Sequence, residues 1–317
     1  MKKEINLPAP LFRDPIYDCP TDPTVIWNEE EKLWYLFYTQ RRATDMAIGV
    51  SWVHGTDIGV AVSADGSKWL YRGVLEGLAI ERGHNTYWAP EIIRAEGCYH
   101  MYLSYITGIP NDWDYPREML HYTSSNLWDW TFIGKIDLNS PRVIDACVYE
   151  VEPHTYKMWY KDEKHDSHSW SAVSTDLYHW TVCGEEICIN SHEGPNVFEF
   201  AGAKWMITDE WNGLGVYKTD DYTHWERNGV ILRDGGKRPL DGVMANHADV
   251  VISGDNAYIF YFTHPFHSNE NRLNRIDSGE NAFRTCIQVA KLESDGKLLT
   301  CDRDAEFELN LIPPLES

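Results

Sequence analysis

Two short patterns recur along this chain of 317 residues, and together they restrict its fold more than any other feature. The first, Ser/Thr-x-Asp/Asn-x-x-x-Trp, stands at Ser63 to Trp69, Ser124 to Trp130, Ser174 to Trp180 and Thr219 to Trp225. The second is a short aromatic strand, as in LWYLFY from Leu33, CYHMYLSY from Cys98, TYKMWY from Thr155, KWMITD from Lys204 and AYIFYF from Ala257. Anchored on Trp34, Tyr99, Tyr156, Trp205 and Tyr258, these strands are 65, 57, 49 and 53 residues apart. That period suits one blade of a β-propeller and is too long for a solenoid turn.

Between the two patterns lie further short β-rich segments, such as Asp57 to Val62 and Leu214 to Lys218, bounded by turn residues. No stretch of a dozen residues has helical periodicity. The Asp or Asn of the first pattern is expected to make an Asx-type turn and its Trp to pack between neighbouring blades. The fifth unit lacks this signature, as suits a closing blade that joins the two chain ends. The reading is an all-β fold: one five-bladed β-propeller of four-stranded antiparallel blades over residues 1–317, with blades at about 20–80, 81–138, 139–188, 189–235 and 236–312.

Charge narrows the partners. With 28 Lys and Arg against 49 Asp and Glu, the net charge is −21, so no nucleic acid or anionic membrane partner is expected. No window reaches the run of about 20 apolar residues of a membrane helix. Met1-Lys2-Lys3 is followed by Glu4, Asn6, Pro8 and Pro10 where a signal peptide needs an apolar core, so a cytoplasmic location is expected for the chain as it stands. A leader trimmed from the front would make it a secreted or periplasmic protein. The seven cysteines are scattered and form no C-x-x-C pair, which suggests neither a disulfide framework nor a zinc site.

In a propeller the innermost strands line a central channel, and residues at their heads converge. Counting back from the aromatic anchors gives Asp22, Glu91, Asp145, Glu193 and His247, each before an apolar strand. Crowded carboxylates repel one another, which argues against a purely structural explanation. Such a cluster suits hydrolysis of a glycosidic bond, where one acid donates a proton and another activates water or attacks carbon.

The order Asp22-Pro23, Ile144-Asp145 and Glu193-Gly194-Pro195 on five units bearing the Ser-x-Asp-x-x-x-Trp pattern resembles glycoside hydrolase family 43 and its five-bladed relatives, families 32, 68, 117 and 130, over roughly residues 20–290. The resemblance implies Asp22 as general base, Asp145 as the residue that tunes and orients, and Glu193 as general acid. It implies inversion at the anomeric carbon. On this reading Glu193 needs a raised pKa, which a neighbouring Asp145 would supply by like-charge repulsion. The third-blade motif departs from the family's Ile-Asp-Pro, because Ala146 follows Asp145. Families 32 and 68 fit less well: Arg13-Asp14-Pro15 stands only at the N-terminus and no Glu-Cys follows.

Further candidates are Trp88, for stacking on a sugar face, with Tyr87 beside it; Glu91, as a polar channel residue on the substrate side; and Arg284, for a substrate hydroxyl or for lowering the pKa of Asp22 or Asp145. No cofactor is required. By the resemblance, His247 is a candidate ligand of a hydrated structural calcium ion in the channel, the alternative being hydrogen bonds to the carboxylates. Long connections at Gln40 to Thr56, Thr107 to Glu118 and His264 to Phe283 either wall a pocket for exo cleavage or form a subunit interface. The expected partner is an oligosaccharide, with a pentose-containing one (α-L-arabinofuranoside or β-xyloside) first. Alternatives are a family 117-like hydrolase in which His247 or His264 is the acid, a non-catalytic carbohydrate-binding propeller, and a protein-interaction propeller.

Overall fold

A computed structural model describes residues 7–266 and 282–314. Five four-stranded antiparallel sheets follow one another along the chain. The first holds β1 (Pro20–Asn28), β2 (Leu33–Gln40), β3 (Asp57–Ser63) and β4 (Leu70–Val74). The second holds β5 (Thr86–Ala95), β6 (Cys98–Ile106), β7 (Glu118–Ser124) and β8 (Thr131–Ile136), and the third β9 (Val143–Glu152), β10 (Thr155–Asp162), β11 (His168–Ser174) and β12 (Thr181–Ile187). The fourth holds β13 (Glu193–Phe200), β14 (Ala203–Asp209), β15 (Leu214–Thr219) and β16 (Glu226–Ile231), and the fifth β17 (Asn246–Ser253), β18 (Asn256–Thr263), β19 (Cys286–Ser294) and β20 (Leu299–Cys301). The first strands β1, β5, β9, β13 and β17 pack in a closed ring, each against the next and β17 against β1. This is the expected five-bladed propeller. Among the described residues no helix is long and apolar enough to cross a membrane.

The recurring Ser-x-Asp-x-x-x-Trp segment is the turn between the third and fourth strands, and its chemistry repeats. Leu127 N and Leu177 N donate to Ser124 and Ser174 Oγ, while Trp128 N and Tyr178 N donate to Asn126 and Asp176 Oδ1, all at 2.9 Å. The residue between, Gly66, Leu127, Leu177 or Tyr222, takes a positive φ of 59–82°. Three motif tryptophans then pack on rings of the preceding blade, Trp69 on Phe260, Trp180 on Tyr102 and Trp225 on Trp159, at centroid distances of 6.4, 5.6 and 5.8 Å, and Trp130 joins the cluster of Tyr35 and Phe37. The fifth blade keeps a shortened turn without the tryptophan, in which Gly296 N donates to Ser294 Oγ and Lys297 N to Asp295 Oδ1.

The apolar core is accordingly divided into one cluster per blade junction and a sixth at the rim, around Trp52, Val53 and Trp88. Tyr35, Phe37, Tyr87 and Leu103 fill the first junction, and Trp205, Ile207, Tyr261 and Ala290 the fourth. The junction between the fifth and first blades also takes in both chain ends: Leu11 and Phe12 from one side, Phe307, Leu309 and Leu311 from the other. Phe12 bridges Ile287 on β19, and Leu311 N donates to Asp65 O in the first blade. Tying the ends there closes the ring and leaves no long open sheet edge between first and last blades.

Candidate active site

Every innermost strand carries a one-residue bulge at the same height, where two of its residues face one on the second strand. The first bulge residues are Asp22, Ala89, Asp145, Gly194 and His247, and the first four have φ of 51, 45, 57 and 57°. Such backbone is strained for residues with a Cβ, and strain of this kind is held only where the surroundings over-determine it. Side chains of the preceding blade do so here: Ala89 N donates to Thr39 Oγ1 at 2.9 Å, Asp145 N to Ser104 Oγ at 3.0 Å and His247 N to Asp209 Oδ2 at 3.0 Å. Gly194 N donates to the carboxylate of Asp145 itself at 3.2 Å.

The bulge sorts the five sequence candidates into three levels. Asp22, Asp145 and His247 share the bulge position. Glu193 lies one residue before it, opposite Asp209. Glu91 lies two residues beyond Ala89, opposite Tyr102, and belongs to a deeper ring. In that ring Val148 N donates to Glu91, Val197 N to Cys147 Sγ, Val250 N to Asn196, Val25 N to Asp249 and Thr24 Oγ1 to Pro90 O. Each blade is thus stitched to the next all round the channel. Burial pushes Glu91 up to about 8 and Asp249 to about 6, the latter held back by hydrogen bonds from Val25 N and Asn196 and by the charge of His247.

At the mouth above, His247 Nδ1 is 3.6 Å from Asp22 Oδ1 and 3.9 Å from Asp145 Oδ2. Arg41 Nη2 reaches Asp22 Oδ2 at 3.4 Å, and Thr21 Oγ1 donates to the same oxygen at 2.9 Å. Lys161 Nζ donates to Glu193 Oε2 at 3.0 Å and lies 3.5 Å from Glu163 Oε1, which is on the path to Arg117. Asp22, Asp145 and Lys161 are nearly covered, whereas the Glu193 side chain is 25 % exposed and meets solvent at the mouth.

The electrostatics reverse one expectation. Burial pushes Asp145 up to about 7; His247 and Lys161 oppose the rise, and repulsion from Glu193 and Asp22 adds to it. Burial also opposes ionisation of Glu193, but the Lys161 ammonium, helped by a Trp211 hydrogen bond, outweighs it and holds that carboxyl down at about 2. Burial and charge thus favour a proton on Asp145 over one on Glu193. Burial alone would lower His247; Asp145, Asp22 and Glu193 together hold it above its ordinary value.

The remaining candidates are placed as follows. Trp88 is buried, its Nε1 donating to Val53 O at 2.6 Å, so it supports the rim and offers no open face. Tyr87 turns into the core between the first two blades, with its hydroxyl on Leu78 O. Arg284 pairs with Asp18 at 3.1 Å; the arginine on Asp22 is Arg41. His264 packs on Phe262 and Trp52. The connection from His264 to Phe283 lies largely outside the described residues. Among the described residues no three His, Cys, Asp or Glu side chains converge as ligands of a metal ion; the groups that face the His247 imidazole are the carboxylates of Asp22 and Asp145.

Residues overlooked in the sequence, Arg41, Lys161, Asp209 and Trp211, share one signal. Second strands run antiparallel to the first, so their far ends return to the mouth. Gly194 is fixed for another reason: at φ +57°, an added Cβ would sit 2.7 Å from the His247 ring. Gly194→Ala is expected to destabilise the fold by roughly 1–3 kcal/mol. An unchanged urea midpoint would refute this placement of His247 against the backbone.

No family model matches the sequence, and no curated protein does. Solved structures do share its architecture. A thermostable family-43 glycoside hydrolase matches with a TM-score of 0.64 at 16% identity, over 96% of this chain and 100% of that one. A β-1,3-galactosidase of the same family, with galactodeoxynojirimycin, matches at 0.68 and 13% over 94% and 99%. A family 43 enzyme from Xanthomonas citri complexed with xylotriose matches at 0.68 and 13% over 95% of each chain. At these identities the likeness is one of fold, and the chain has the five-bladed propeller of these glycoside hydrolases.

Proposed function

We propose that this protein is a glycoside hydrolase that acts with inversion on the non-reducing end of a neutral, pentose-containing oligosaccharide, of the α-L-arabinofuranoside or β-xyloside type. One observation carries the reading. Carboxylates from three separate blades, Asp22, Asp145 and Glu193, meet at the channel mouth around a single imidazole, although burial opposes the ionisation of Asp145 and Glu193. The fold shared with family 43 hydrolases supports it.

In this reading Asp22, oriented by Arg41 and Thr21, takes the proton of the attacking water. Glu193, the most exposed of the three, protonates the leaving oxygen. It becomes a donor only when bound substrate weakens its pairing with Lys161 and lets it take up a proton. That same observation favours a second reading in which Asp145 or His247 is itself the donor and Glu193 serves as the anchor of Lys161.

The test is sugar release, read by chromatography, from arabinoxylan, arabinan and xylo-, fructo- and agaro-oligosaccharides, beside Glu193→Gln. Release of one monosaccharide, its anomer inverted by proton NMR, and a loss of at least about 100-fold in the variant are expected. Activity that survives Glu193→Gln moves the donor to Asp145 or His247. Wild-type silence across the panel removes the hydrolase reading and favours a binding propeller.

A further inference from the structure

On the rim of the first two blades, Trp113 and Tyr115 stand 51% and 41% exposed on one loop. The residue that shapes this loop is Arg117, itself only 1% exposed, whose Nη1 donates to Tyr115 O at 2.9 Å and Nη2 to Trp113 O at 3.0 Å. A guanidinium taken out of water is costly unless its donors are used. Here the two terminal nitrogens, though not Nε, fix two carbonyls of residues whose side chains are exposed, and Glu163 at 2.9 Å neutralises the charge.

The platform is continuous with the carboxylate site by two routes. The Trp113 ring lies 6.4 Å from that of Trp88, the residue just before the bulge in the second blade, and 5.7 Å from His54. Burial pushes His54 down to about 4, so it packs there as a neutral ring. The other route is polar: Arg117 to Glu163, Glu163 to Lys161, Lys161 to Glu193. Beside the loop is an open cleft of about 550 Å³ bordered by Arg42, Asp45, Ile48, Ile109, Asn111 and Tyr115, within the size range of small-ligand sites. The cation that borders it, Arg42, is matched by Asp45, which leaves no unmatched charge for an acidic sugar among these residues.

We propose that Trp113 and Tyr115, held in place by Arg117, stack the outer rings of a neutral oligosaccharide whose terminal ring sits at Asp22, Asp145 and Glu193. Aromatic planes match the apolar faces of sugar rings, and prior fixing of the backbone lowers the entropy lost on binding. The inference rests on the glycosidase reading and adds to it where the leaving-group side of the substrate lies.

The test compares xylo- and arabino-disaccharides with the corresponding tetrasaccharides on wild type, Trp113→Ala, Trp113→Phe and Tyr115→Ala. Trp113→Ala is expected to raise KM for the tetrasaccharide about 10-fold with kcat within about twofold, to change the disaccharide little, and to be restored by Trp113→Phe. An unchanged KM, or an equal rise for both lengths, overturns the platform while hydrolysis stands. Calorimetry separates the two readings. Tetrasaccharide binding that Trp113→Ala abolishes, without sugar release by wild type, keeps the platform and removes the hydrolase; no binding at all removes both. A dimer in sedimentation that Trp113→Ala dissolves, with sugar binding unchanged, assigns the patch to a second copy and also overturns the proposal.

Discussion

Asp22→Asn is expected to lower kcat at least about 10³-fold while leaving the fold intact, the size of effect that follows when a positioned base is removed from a hydrolytic site. The substitution is nearly isosteric, and the position favours it: φ at Asp22 is 51°, and asparagine is among the few residues that tolerate this region well. Thr21 Oγ1 keeps an acceptor, and only the charge facing Arg41 and His247 is lost. The amide cannot take a proton from water. Initial rates on whichever substrate the wild type hydrolyses, with the thermal midpoint measured alongside, are the check. A midpoint within a few degrees of wild type and a large drop in kcat with KM little changed fit the role. Activity within 10-fold of wild type would place the base elsewhere.

How far the sequence led can be judged at particular residues. Blade number and turn chemistry were legible because they repeat: four copies of one Asx turn and five aromatic strands leave few other folds. The convergence of Asp22, Asp145, Glu193 and His247 was legible because their distances from the aromatic anchors nearly agree, 11 or 12 residues in each. Glu91, at 8 residues, breaks that agreement, and the bulge shows why: Glu91 lies two residues beyond Ala89, in the deeper ring. A bulge adds a residue and changes which side chains face the channel, so position in a bulged strand cannot be read by counting alone. Trp88 looked like an open aromatic face, and only the tertiary course of the chain around Val53 and His54 shows it covered.

Charge placement was the least legible. Repulsion between Asp145 and Glu193 was foreseeable from their convergence, but which of them yields is decided by Lys161, 32 residues from Glu193 in sequence. Nothing in TYKMWYKD distinguishes Lys161 from Lys157, which instead pairs with Glu186 and donates to Tyr222 O beneath the fourth blade. Strand parity puts both lysines on one face of β10, and height along the strand separates them: Lys161 lies opposite Ile144 at the mouth, and Lys157 opposite Tyr149 far from it.

The same imbalance makes Asp145→Asn a test of whether the mouth is built for chemistry at the expense of stability. A buried carboxyl pushed from an ordinary 3.8 to about 7 costs on the order of 2–4 kcal/mol to ionise in place. Because its folded value is raised, its contribution to stability is fully present below 3.8 and lost as pH rises through about 7. Glu193 has the opposite sign, since its contribution is present above 4.5 and lost as pH falls towards about 2, so it stays constant between pH 5 and 8. His247, raised above 6.5, loses its contribution as pH rises, in the same direction as Asp145. Asparagine carries no ionisation cost and still accepts from Gly194 N. The variant is therefore expected to be inactive or nearly so, yet more stable than wild type by on the order of 2 kcal/mol at pH 8, with a smaller gain at pH 5. Urea unfolding at the two pH values measures the gap. A variant less stable than wild type at pH 8, or a gap that does not widen between pH 5 and 8, would mean that Asp145 is not the carboxyl that holds the proton.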